Sequence, residues 1–113
     1  MNVLANQKHT YDEVISKGID KALRQIFGDE AKFLIYKYLE THYALKQDEI
    51  TEKLDVFAKG LEEYLHSGAY VVEAKILEEI GASYGVIQKR KLENVTDENN
   101  FLSQVEMLTR AST

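Results

Sequence analysis

The chain has 113 residues, 44% hydrophobic and 29% charged, with no cysteine, no proline and a formal net charge of −5. That length fits one domain with a modest core, and the lack of cysteine excludes disulfides, thiolate zinc sites and cysteine nucleophiles. The charge is uneven, net +1 over 1–47, −6 over 48–79 and zero over 80–113, so the middle segment repels phosphate and argues against general nucleic-acid binding.

Without proline, glycine supplies the punctuation, at Gly18, Gly28, Gly60, Gly68, Gly81 and Gly85. Residues 1–9 lack apolar periodicity and read as a flexible tail. They also lack the basic region and apolar core of a secretory signal. No apolar run nears the ~18 residues of a membrane span. The expected location is therefore the cytoplasm, with no membrane partner.

A first helix is predicted over about 11–27, where Ile15, Ile19, Ala22, Leu23, Ile26 and Phe27 recur at three- and four-residue steps. Gly28 ends it, and Asp29 is placed to cap a second helix reaching about 43. The main face of that helix is Ala31, Leu34, Ile35, Tyr38 and Leu39, and a second face carries Phe33 and Tyr36. After the link "ALKQDEIT", a third helix spans about 52–65, with Leu54, Phe57, Ala58, Leu61, Tyr64 and Leu65 as its stripe. Ser67 caps a fourth, which ends near 81 and turns Ala69, Val72, Ile76, Leu77 and Ile80 inward. Residues 82–95 break the period and form an irregular link. Residues 96–113 hold a last helix, capped by Thr96 or Asp97, with Phe101, Leu102, Val105 and Leu108 as its stripe.

The expected fold is all-α, of about five helices. Residues 10–81 form a core of two tandem helical hairpins, and the C-terminal helix is added to it. The hairpins look alike. "KALRQIFGDEAKFLIYKYLE" from Lys21 matches "KGLEEYLHSGAYVVEAKILE" from Lys59 at an offset of 38, with six identities in twenty. Internal duplication and a coincidence of pattern both fit that number.

The stretch from Ile19 to Gly85 also resembles a known family. Its apolar helix followed by Gly28 and Ala31-Lys32, its aromatic helix, its acidic "QDEI" link and its second turn at Gly68-Ala69 are similar to small all-helical archaeal domains of unknown function. Members abound in ammonia-oxidising archaea and have been proposed as output domains of signal-transduction proteins, sometimes joined to receiver domains. The resemblance implies a regulatory role and no known active-site residues.

The residues carry little catalytic chemistry. Glu63-Tyr64-Leu65-His66 has the Glu-x-x-His spacing of di-iron bundles, but such sites need a second copy of the motif, and His42 follows Leu39 at that spacing. No phosphate loop, dinucleotide fingerprint or nucleophile elbow occurs. The chain is expected to be no enzyme, with no metal and no cofactor. Lys89, Arg90 and Lys91 are the one basic cluster, and they are the candidate nucleic-acid contacts if the protein is instead a transcription-associated DNA binder. A small-molecule sensor with a pocket between the hairpins is a third reading.

The second helix poses the main question. From Phe33 to Leu39 only Lys37 interrupts the large apolar and aromatic side chains. A helix apolar all round is buried all round. Either the rest of this small bundle covers it, or Phe33, Tyr36 and Tyr43 meet another protein chain. Aromatic side chains favour such interfaces, and a homodimer is the commonest arrangement. The expected role is thus a protein-interaction or regulatory module that associates with itself.

Overall fold

The computed structural model describes residues 3–83 and 98–111, with side-chain surroundings for 11–83 and 101–108. The fold is all-α. Among the described residues five α-helices follow in order: α1 (Val3–Phe27), α2 (Asp29–Tyr43), α3 (Leu54–Leu65), α4 (Gly68–Ser83) and α5 (Glu98–Ala111), with a 3₁₀ helix, Gln47–Glu52, between α2 and α3. None of the described helices is long and apolar enough to cross a membrane.

Over residues 3–9 the expected tail is replaced by helix, since α1 starts at Val3. From Val3 to Lys17 there is no glycine or proline to stop it. The link of 82–95 and the caps at Thr96 and Asp97 fall outside the described residues, apart from Ala82 and Ser83, which extend α4.

One residue makes the turn between α1 and α2. The Gly28 amide donates to the Arg24 carbonyl at 2.8 Å, closing α1, while the Gly28 carbonyl accepts from the Lys32 amide at 3.0 Å, opening α2. Serving both helices puts Gly28 at φ 88° and ψ 168°, a region that side-chain-bearing residues avoid. Asp29 is therefore not the cap expected of it. It stands with Glu30 in the first turn of α2, where carboxylates suit the positive end of the helix dipole.

The second hairpin repeats this plan. α3 ends at Leu65, 38 residues after the end of α1 at Phe27. His66, 38 residues after Gly28, turns the chain at φ 55° and ψ −130°. Core positions also correspond: Leu23 with Leu61, Leu39 with Leu77 and Ile19 with Phe57 are all fully buried.

Ile15, Ile19, Ala22 and Leu23 of α1 join Phe57, Ala58 and Leu61 of α3 and the apolar face of α4 in one core. Leu45 and Ile50 anchor the link between the hairpins in it. α5 adds Phe101, Val105 and Leu108 by resting on α3 and α4. Gly60 sits where α2 crosses α3, and a methyl group there would overlap Leu39 Cδ2.

Candidate interaction face

The two hairpins differ in how well their second helix is covered. Among the described residues α4 is packed by α1, α3 and α5, whereas α2 is packed by α1 and α3. The segment after α2, the 3₁₀ helix, lies against α1 and α3 instead. α2 therefore buries Ile35 and Leu39 and leaves Glu30, Phe33, Leu34, Lys37, Glu40 and Thr41 exposed. Leu34 is 50% exposed, while its counterpart in the repeat, Val72, is 1% exposed.

Of the three residues expected at an interface, Phe33 is the open one, at 61% exposure. Lys37 Nζ lies 5.8 Å from its ring centre. Tyr36 is half-buried, and its hydroxyl donates to Asp20 Oδ1 at 3.3 Å. Asp20 also holds Lys32 Nζ at 3.0 Å, so one α1 carboxylate ties down two α2 side chains. Burial, with help from the Asp20 charge, pushes the Tyr36 hydroxyl well above the usual tyrosine range. Tyr43 is half-buried too, and its hydroxyl donates to Glu63 Oε2. α5 seats on the second hairpin and leaves Phe33 open.

The sequence pattern placed Leu34, Ile26 and Phe27 on inward faces. All three are more than a third exposed, Ile26 and Phe27 at the end of α1 and Leu34 next to Phe33 in α2. For Ile26 and Phe27 the usable signal was their place in the last turn of α1, next to Gly28.

Glu63 is the centre of a second cluster. Its carboxylate accepts from Tyr43 and, at 3.2 Å, from Tyr38. Tyr38 lies 4.5 Å from Tyr64 and 4.3 Å from His42, ring centre to ring centre. The hydrogen bonds from Tyr43 and Tyr38 hold Glu63 below the usual carboxylate range, and the bond to Glu63 pushes Tyr43 up to about 12. A base made weaker and an acid made weaker are the reverse of what proton transfer near neutral pH requires. The cluster fastens α2 to α3.

An open groove of about 600 Å³ runs beside it, lined by Lys59, Glu62, Glu63, His66, Ser67 and Tyr70. It follows the α3–α4 turn of the second hairpin, away from the space between hairpins that the sensor reading called for. Among the described residues no group of three or more His, Asp and Glu is arranged to hold a metal ion. Lys89, Arg90 and Lys91 lie outside the described residues.

Comparison with family models, with curated proteins and with solved structures finds no match to this chain. The functional reading therefore rests on the geometry of α2 and its surroundings.

Proposed function

We propose that this protein is a non-enzymatic interaction module that associates with itself through the exposed face of α2, and that it serves a regulatory role of the signal-output kind in the cytoplasm. The observation that carries the reading is the open apolar group of Phe33, Leu34, Ile26 and Phe27. They lie within eight residues of one another across the α1–α2 turn, and exposed apolar residues that cluster commonly mark an interaction site. Tyr36 and Tyr43, engaged with Asp20 and Glu63, act as the rigid border of this face.

The acidic surface of residues 48–79 would select among partners by charge. A DNA-reading helix wants several basic or amide side chains on its outer side. The outer side of α2 pairs Lys37 with Glu30 and Glu40, which favours protein over phosphate.

The test is the mass in solution, by sedimentation or light scattering across a concentration series. The native chain is expected at twice its 13.0 kDa, and Phe33→Ala is expected at the monomer mass with its helicity unchanged. A native chain that stays monomeric up to the highest concentrations reached would refute self-association.

A further inference from the structure

The sequence of α2 is written so that its exposed face fits a second copy of itself. At 100° per residue, Glu30, Phe33, Leu34, Lys37 and Thr41 fall on one side of the helix, and all five are exposed. Along that side the order is acid, two apolar residues, base. Reversing the helix end for end turns this into base, two apolar residues, acid, its own complement.

We infer that α2 packs antiparallel on α2 of a second copy, about a dyad between Phe33 and Leu34, with Glu30 of each chain against Lys37 of the other. The inference rests on the proposed self-association and specifies its geometry. Centring the dyad there sets each Phe33 beside the second copy's Leu34. Seven residues separate Glu30 from Lys37, so the same register brings each carboxylate to the other chain's ammonium on both sides of the apolar pair. In an isologous contact each such pair occurs twice.

The fold supports the choice of a helix as the occupant. Among the described residues α4, the counterpart of α2 in the second hairpin, takes three helical neighbours and α2 takes two. Val72 is covered at the position where Leu34 is open. A helix laid on α2 would cover Phe33 and Leu34. Charge supports the choice of a second copy. Residues 11–43 carry five basic and six acidic side chains, so two first hairpins barely repel. Residues 54–83 carry two basic and six acidic and would make a poor self-associating face.

A charge exchange tests the register. Glu30→Lys and Lys37→Glu are made separately, and each is studied alone and in equimolar mixture by sedimentation. Either substitution alone sets like charges opposite each other on both sides of the dyad. Each variant is expected to dissociate at least about tenfold more readily than the native chain, a loss of about 1.4 kcal/mol. Mixed, each variant supplies the charge that the other now needs, and mixed dimers are expected to regain most of the native affinity. This recovery also guards against misfolding, because a variant with a damaged α2 would not be rescued by its partner.

If the native chain dimerises and the single variants dimerise equally well, the α2 register is wrong and self-association stands by another surface. If the variants dissociate and their mixture does not recover, the register is wrong as well. If the native chain is monomeric, both the register and the self-association fail, and α2 is left open for a helix of another protein.

Discussion

Gly28 and His66 stand at the same point of two successive helical hairpins, 38 residues apart and both at positive φ, 88° and 55°. Although one residue links α1 to α2 and two link α3 to α4, both places require a positive φ. The first hairpin meets it with the residue type that has no Cβ to strain, and the second does not.

This contrast predicts opposite responses at equivalent positions. His66→Gly should stabilise the protein by about 1 kcal/mol, since a side chain in this region of φ and ψ stores 1–3 kcal/mol of strain that glycine relieves at some cost in chain entropy. Gly28→Ala should destabilise by about 1–2 kcal/mol for the converse reason. No atom within 4 Å would meet the new methyl group at Gly28, so its effect isolates the backbone. Urea unfolding of both variants measures the pair, and equal signs would contradict the assignment.

A second contrast separates packing from propensity. In a helix interior, glycine costs about 1 kcal/mol relative to alanine. At Gly18 a methyl group would come 3.1 Å from Ile80 Cγ1, a crowding that small shifts relieve. At Gly60 it would overlap Leu39, whose side chain is fully buried and has nowhere to go, with Tyr43 Cε2 at 3.3 Å behind it. Gly18→Ala should therefore be neutral to slightly stabilising. Gly60→Ala should lose about 1–2 kcal/mol net, as overpacking outweighs the gain in helix propensity. Thermal melts of the two variants decide this.

Much of the fold was legible because helical periodicity and glycine act locally. Most of the stripes of α1, α3 and α4 and the stop at Gly28 follow from residues within a few positions of one another, whereas Ile26, Phe27 and Tyr64, placed in those stripes by the period, are exposed. The start of α1 was not legible, because residues 3–9 carry no apolar period and only the absence of a breaker marks them. Tyr36 also escaped the pattern. Its partner Asp20 lies on another helix, 16 residues earlier, and no short-range spacing announces such a bond. Leu34 and Val72 bear the same relation to their turns and differ in exposure, and α5 packs on the second hairpin. Sequence similarity between the hairpins hides that difference.

That pair yields a prediction about truncation. Val72→Ala should cost about 2 kcal/mol, because it removes buried methyl groups and leaves a cavity on the covered side of α4. Leu34→Ala should change monomer stability by less than about 0.5 kcal/mol, as expected for a half-exposed site. Its effect belongs in the association measurement instead. Chemical denaturation at a protein concentration below the dimer range separates the two quantities, and a large loss for Leu34→Ala there would mean that the side chain is covered within its own molecule.

The Tyr43–Glu63 bond should shape the pH profile from both ends. Glu63 is held below its ordinary value of 4.5, first by the hydrogen bond from Tyr43 and then by that from Tyr38. A carboxylate with a depressed folded pKa contributes stability that is complete above about pH 4.5 and is lost as the pH falls through the folded value. Tyr43 is raised from 10.0 to about 12, chiefly by the same bond and next by burial. Its contribution is complete below pH 10 and is lost as the pH climbs towards 12. Glu79 adds to the acid side, because hydrogen bonds from Lys21 and Lys75 outweigh the upward push of its burial. Tyr43→Phe leaves the Glu79 contribution in place and removes the shared bond. Its urea midpoint should therefore fall less steeply than that of the native chain below pH 4.5, with Tyr38 still holding part of the Glu63 effect, and should lose the Tyr43 share of the decline above pH 10, while Tyr36 and Tyr38, both also raised, keep theirs. Native and variant profiles that run parallel through both limbs would mean that the bond does not persist in solution.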